Sequence, residues 1–557
     1  MNKNISVVRL LLASVVALWL AAAAHATAPG ITSTDGTTGT FNLTAQAAYL
    51  TQPDGLAVYS WGYGCTAQPP SGSFVPSNLS ITPFCNAMQV PGPTLVVTEG
   101  TTVTVNLTNN LPVSAGNTSI VFTGFTLTNT TGGVRGLVTQ EAGPNGGTVQ
   151  YQFVASTPGT HAYYSGTQSD LQVEMGLYGA IIVLPNSVPT SCTSGSTGST
   201  GLGFAAGNGT AEGHWSEHDY RLTSAAYDNA KTCYDREYLF QFSEMDPTIH
   251  KKAEQQVAAA AGACVQNGAG AAGCSLEVPT EPYHPGYFLI NGRSMPDDMD
   301  PNYAMEYPHQ PYNGDPHMHP GEQVLIRVIG QGRWQHPFHE HGNHVRILGR
   351  DGNLILAPDG TSLAGPLFFT TTTTPGLAFD GIFYWTGRGL NWDAYGHKPV
   401  SSTNDPNATL PCTPDTNGYN TADPTALNYY EWCQDHDKPL EVAPFGDVAS
   451  GGPATLPDPN LFTNGPWYSG SPYLGPDATS RATFGTCTGN NNSTSCSTSG
   501  TTPPSGTIAN SPSSEAGYAF MWHSHNEREI TTNNIFPGGM LMMMLVDSRE
   551  FPIDETN

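Results

Sequence analysis

The residues with the most coordination chemistry in this 557-residue chain are histidines, and they are unevenly placed. The tightest group is His336-Pro337-Phe338-His339-Glu340-His341-Gly342-Asn343-His344, and a second is His523-Ser524-His525. Along a β-strand, residues i and i+2 face the same side, so His339 with His341, and His523 with His525, each form a two-pronged imidazole clamp. Imidazole suits copper, zinc and iron, and two clamps on neighbouring strands offer four nitrogens to one or two metals. His336, His344 and Glu529 are available as a fifth ligand. Further candidates are His317-Met318-His319, with His309 upstream, which reads either as a loop copper site or as a Pro/His-rich turn, and His214 with His218 beside Trp215. Met540, Met542, Met543 and Met544 resemble a soft Cu(I) surface but fall where a terminal core strand is expected, so packing is their simpler role. Asp and Glu are not grouped at a spacing for paired-carboxylate hydrolysis. Nor is there a Gly-x-Ser-x-Gly, a phosphate-binding glycine loop or a His-Glu-x-x-His.

The elements that must position these clamps read as strands. Gly 62 and Pro 45, with charged residues at only 11%, describe short strands joined by many turns, an all-β chain. Thr94–Leu107 (TLVVTEGTTVTVNL) is echoed by His319–Ile329 (HPGEQVLIRVI), each with a turn glycine, Gly100 or Gly321, before a strand. In the first, Val103, Val105 and Leu107 alternate with polar residues, the period of a half-buried strand. Gly176-Leu177-Tyr178-Gly179-Ala180-Ile181-Ile182-Val183 and Pro537-Gly538-Gly539-Met540-Leu541-Met542-Met543-Met544 both read as a Gly-bounded turn entering a final apolar strand. Two copies of one β-sandwich module are therefore expected, over residues 40–188 and 233–550. Between them lies a linker, 189–232, rich in Ser, Gly and Thr from Ser191 to Gly213. Loop-rich insertions at about 250–280 and 385–514 are expected to pack outside the second copy, with a helix over His250–Gly262.

Lys+Arg 19 against Asp+Glu 45, a net charge of −26, argues against a nucleic acid or an anionic membrane held by charge. Residues 1–26 read as a secretory signal peptide: Lys3 and Arg9, an apolar run from Leu10 to Ala24, and Ala24-His25-Ala26 at the cut. No later stretch has the length and apolarity of a membrane span, so the expected location is periplasmic, extracellular or on the cell surface. The Cys 10 fit an oxidising compartment and fall into neighbouring pairs, Cys65/Cys85, Cys192/Cys233, Cys264/Cys274, Cys412/Cys433 and Cys487/Cys496. The lack of any Cys-x-x-Cys argues against a thiolate metal site.

These features together resemble the multicopper oxidase family in its two-domain, cupredoxin-type form, with degenerate copper motifs. Pro91-Gly92-Pro93-Thr94 with Glu99-Gly100, and Gly176-Leu177-Tyr178-Gly179, are similar to the family's first domain. His336 to Gly342 resembles its His-Pro-x-His-x-His-Gly motif, and His523-Ser524-His525 with Gly539-Met540 resembles its final His-Cys-His motif. The resemblance implies tandem cupredoxin-like Greek-key β-sandwiches and a copper cofactor, zinc or iron being chemically admissible at the same nitrogens. It also implies four surviving cluster ligands, His339, His341, His523 and His525, converging on one metal. The departures are as informative. Ser524 stands where the family has the type 1 copper thiolate, and Glu529 where it has a further histidine. Val121-Phe122-Thr123-Gly124 and Tyr164-Ser165-Gly166 replace the first domain's two histidine motifs, and His161, nearby, should face away. Ser524 and His336 are expected to share a remnant pocket containing a neutral imidazole.

Three functions fit this pattern. One is an exported copper protein with oxidoreductase chemistry at a histidine-only site, lacking a standard blue-copper relay. The others are a non-catalytic metal-binding or storage protein and a structural cell-surface protein on the same scaffold. Beyond a metal ion, the expected partners are an undefined substrate and other copies of the chain.

Overall fold

The computed structural model describes residues 28–77, 79, 81–193, 220–388, 411–422, 430–436, 470–474, 508–509, 516–547 and 553. The expected signal peptide, His214, His218 and the Cys487/Cys496 pair lie outside the described residues. No helix among the described residues is long and apolar enough to cross a membrane.

The alternating valines of the first repeat form a strand whose buried and partly exposed residues alternate one by one, as a half-buried strand requires. The strands of the first sandwich are β1 (Thr40–Thr51), β2 (Ala57–Cys65), β3 (Leu95–Thr98), β4 (Thr102–Asn109), β5 (Val121–Phe122), β6 (Leu127–Gly132), β7 (Gly147–Val154), β8 (Gly159–Tyr164) and β9 (Tyr178–Leu184). Those of the second are β10 (Arg236–Met245), β11 (Tyr287–Ile290), β12 (His317–Met318), β13 (Gln323–Gly330), β14 (His336–Glu340), β15 (Val345–Arg350), β16 (Thr370–Thr373), β17 (Ala378–Tyr384), β18 (Ala516–Ser524) and β19 (Leu541–Asp547).

The pairing repeats strand for strand. In one sheet β1 runs parallel to β4 and antiparallel to β2, and β7 pairs antiparallel with both β4 and β6. In the second sandwich β10 runs parallel to β13 and antiparallel to β11, and β17 pairs antiparallel with both β13 and β15. In the facing sheet β9 lies between parallel β3 and antiparallel β8, and β8 pairs with β5. Its counterpart β19 lies between parallel β12 and antiparallel β18, and β18 pairs with β14. The fold is all-β, tandem cupredoxin-like sandwiches as expected. Gly100 and Gly321 share a positive φ of 85°, a left-handed turn before β4 and β13 that a side chain would strain.

Each sandwich closes on its own core. Phe41, Trp61, Val105 and Phe153 fill the first; Phe240, Phe338, Trp522, Met540, Met542 and Met544 fill the second. The methionine run is thus core packing, as its place in a terminal strand suggested. The two sandwiches meet through apolar clusters, one joining Val96, Ala162 and Ile182 to Leu239, Ile329 and Ala378, and through a buried polar knot. Asp380 on β17 accepts from Thr160 Oγ1 on β8 at 2.6 Å and from Tyr227 Oη at 2.7 Å. Arg327 on β13 reaches Glu237 Oε2 at 2.9 Å and Asp380 Oδ1 at 3.5 Å.

The expected helix is α1 (Pro247–Asn267), longer than read at both ends. Asp246 caps it by accepting from Thr248 N at 2.8 Å, and Pro247 takes the first turn, where a missing N–H costs nothing. Four of the expected disulfides are formed, Cys65–Cys85, Cys192–Cys233, Cys264–Cys274 and Cys412–Cys433, and no free cysteine occurs among the described residues. One expectation needs correction. The insertion over 385–514 does not stay outside the sandwich: Gly470–Leu474 pairs antiparallel with β18 and joins its sheet.

Candidate metal centre

Strands β14 and β18 pair antiparallel with His339 directly opposite His523. His341 and His525 follow just past the two strand ends, so both clamps open onto one face of the sheet. The Nε2 atoms of His341 and His523 are 3.2 Å apart. One ligand atom each from His339, His341 and His523 lies within 4.8 Å of the others, and all three residues are buried. Metal–nitrogen bonds of about 2.0–2.1 Å span at most roughly 4.2 Å between donors, so small ring rotations bring the three onto one ion. The donor set therefore fits copper or a similar imidazole-seeking metal.

His525 stands beside this group at the rim of the cluster. Its ring lies 4.7 Å from that of His339 and 5.6 Å from that of His523, but its side chain is exposed and it stands outside the three-residue group. The backbone explains this: His525 N bonds Pro337 O as the strand pair ends, leaving the side chain at the rim.

Neighbouring groups fix the rings. His523 Nδ1 lies 2.7 Å from Ser524 O; a carbonyl can only accept, so Nδ1 carries the proton and Nε2 offers its lone pair. His339 Nδ1 meets Thr370 Oγ1 on β16 at 2.6 Å, which turns Nε2 away from that strand. Trp522 Nε1 donates to His341 O at 3.0 Å and holds the bend after β14. Burial, with His341, His525 and His523 alongside, lowers the His339 pKa to about 3, and burial lowers that of His523. Neutral imidazoles are what a metal requires. Glu340, between the first two ligands, faces the core opposite Trp522 and is fully buried, which pushes its carboxyl well above the usual range.

Several candidate ligands lie elsewhere. His336 belongs to a different, fully buried site on the opposite face of β14, with Nδ1 2.8 Å from Glu529 Oε2 and Nε2 3.0 Å from Glu244 Oε2. Glu529 is consequently not at the cluster either; its Oε2 also accepts from Ser524 Oγ at 2.5 Å, and its Oε1 from Asn526 Nδ2 at 2.8 Å. Ser524 and His336 share a pocket as expected, joined through Glu529. The imidazole is not neutral: the hydrogen-bonded carboxylates overcome burial and raise its pKa to about 9. His317 and His319 pack against the end of β19, His317 Nδ1 on Asp547 Oδ2 at 2.6 Å and His319 Nδ1 on Asp547 O at 2.9 Å. They form a structural turn, not part of the cluster. His344 stacks on Phe369 with ring centroids 3.8 Å apart, away from the metal face. His161 bonds Thr157 O at 3.0 Å beside Phe125.

Sequence reasoning missed Glu244, Tyr283 and Glu174. Glu244 accepts from the backbone N–H groups of Arg333 and Trp334 and from Tyr283 Oη, which also donates to Glu174 Oε2 at 2.6 Å. A signal was available in the acid near the end of the apolar run Tyr-Leu-Phe-Gln-Phe-Ser-Glu-Met of β10, where an unpaired carboxylate would be costly. In the first sandwich, the two degenerate motifs sit side by side, Val121 opposite Tyr164 and Phe122 opposite Tyr163, without a metal-binding side chain in either pair.

Two repeated sandwiches of this pairing define a cupredoxin-type protein. Residues 82–188 match the model of the multicopper oxidase family. Over 99 residues the chain is 37% identical to the laccase abr2 of Aspergillus fumigatus, a stretch covering 17% of this chain and 16% of the laccase. Among solved structures it aligns with the multicopper oxidase mgLAC over 94% of this chain and 88% of that one, at 15% identity and a TM-score of 0.42. With the blue copper oxidase from Nitrosomonas europaea it aligns over 92% and 85%, at 14% identity and a TM-score of 0.42. The segment that matches the multicopper oxidase model lies in the first sandwich, which holds none of the clustered histidines.

Proposed function

We propose that the protein is an exported, multicopper-oxidase-like copper protein with its metal held in the second sandwich by His339, His341 and His523, and His525 as a rim ligand. The observation that carries this reading is the 3.2 Å approach of His341 Nε2 to His523 Nε2 with His339 alongside. Copper held there would supply one-electron chemistry beside the exposed ring of His525. The chain's own contribution is preorganisation: Ser524 O fixes the His523 tautomer, Thr370 orients His339, and burial keeps the His339 and His523 rings unprotonated.

A standard blue-copper relay is not part of this reading. Ser524 supplies a hard oxygen already given to Glu529, and His336 is engaged by two carboxylates, so neither is open to a soft metal. Copper titration followed by electron paramagnetic resonance tests the assignment. Nitrogen hyperfine structure from imidazoles, lost on changing His341→Ala with His523→Ala, supports it; a copper signal unaltered in that variant refutes it.

A further inference from the structure

The outer face of the second sandwich's other sheet carries a cavity of about 340 Å³, within the range of small-molecule sites. Its floor comes from three adjacent strands: Gln323 on β13, Ile382 and Tyr384 on β17, and Arg346 and Leu348 on β15. Leu363 and Leu367 roof it, and Lys231 stands at its rim. Among the described residues, Lys231, Arg346 and His344 but no acid line this cavity, in a chain where Asp+Glu 45 outnumber Lys+Arg 19.

The two cations, Lys231 and Arg346, are left without a bonded carboxylate among the described residues, as are Arg293 and Arg528, which bond backbone carbonyls. Arg236, Arg327 and Arg333 all reach carboxylates. Among the described residues, no carboxylate pairs with Lys231 or Arg346; Arg346 Nη1 donates to Gly365 O at 3.0 Å. Asp359, the acid on the roof loop, is turned onto Ser362 Oγ at 2.6 Å and onto the N–H of Thr361 and of Ser362. A guanidinium fork beside Leu348 and Ile382 suits a planar carboxylate attached to an apolar body.

We infer that this cavity binds a small aromatic monocarboxylate, with the ring against Leu348, Ile382 and the leucine roof and the carboxylate on Arg346, steered by Lys231. The site is separate from the histidine cluster and independent of the metal reading. Titrating the full-length protein with 2-naphthoate and with its neutral isostere 2-naphthamide tests it. Naphthoate should bind at one saturable site at least about tenfold more tightly than naphthamide, a gap that narrows with salt. Arg346→Gln should erase that preference while naphthamide binding persists. Should that variant misfold, Lys231→Gln at the exposed rim should weaken naphthoate several-fold and reduce its salt dependence. His339→Ala with His525→Ala should leave naphthoate binding intact. Equal affinity for the two ligands, non-saturable binding, retention of the full preference in folded Arg346→Gln, unchanged naphthoate affinity in folded Lys231→Gln, or loss of naphthoate in the histidine variant overturns the proposal.

Discussion

Ser524 Oγ donates to Glu529 Oε2 at 2.5 Å, and the same oxygen accepts from His336 Nδ1 at 2.8 Å. The resemblance to the multicopper oxidases implies a thiolate and two imidazoles at these positions. The serine lacks a soft sulfur, and the glutamate satisfies both the serine and the remaining histidine. With Glu244 on the far nitrogen, His336 sits as an imidazolium between two carboxylates, a self-contained structural network.

Copper-loaded protein should therefore lack the intense blue band of thiolate-bound copper. Absorption spectra during copper titration check this, and a strong blue band would contradict the assignment of Ser524.

Removing Glu529 leaves a buried imidazolium and hydroxyl short of a partner. Glu529→Ala should cost about 3 kcal/mol, in the range seen when one member of a buried pair is lost, and Glu529→Gln less. Chemical denaturation of both variants measures this; a loss under about 1 kcal/mol in the alanine variant would remove the network from the account of stability.

The pH profile has a definite sign. The His336 pKa is raised from 6.5 to about 9, so its stabilisation is complete below about 6.5 and is lost as pH rises through 9. Glu174, raised by burial from 4.5 to about 8, acts in the same sense, favouring the fold while protonated and losing that contribution between those values. Stability should fall on the alkaline side with a slope of up to about 1.4 kcal/mol per pH unit for each proton lost. His336→Gln should flatten the upper part of that limb. On the acid side His339, lowered from 6.5 to about 3, works oppositely, stabilising above 6.5 and losing that contribution as pH falls toward 3. Unfolding free energy against pH for the wild type and His336→Gln separates these limbs.

All ten cysteines should be bridged in the mature protein, extending the four disulfides described here to Cys487–Cys496. Thiol titration of denatured, unreduced protein should find essentially none free, and two or more reactive thiols would count against it.

Much of this was legible in the chain because it depends on local period. The alternation of Val103, Val105 and Leu107 fixed a strand face, and the i, i+2 spacing of each histidine pair fixed which nitrogens share a side. The repeat of Gly100 and Gly321 as left-handed turns disclosed the duplication. What could not be read was long-range. Glu244 and His336 are separated by 92 residues and Glu529 and His336 by 193, and no local pattern announces such pairings. The exposure of His525 was not legible either: periodicity gives a side-chain direction within a strand, but β18 ends at Ser524 and the next residue lies at the rim. The strand Gly470–Leu474 escaped because its Gly/Pro-rich surroundings read as loop.

The central claim, a metal held by the clustered histidines, is tested most directly by measuring copper in dialysed, copper-equilibrated protein beside the variant His339→Ala with His523→Ala. The wild type should retain about one copper per chain, as three converging imidazoles on a single ion imply, and the folded double variant essentially none. Equal copper retention in both proteins would contradict the account.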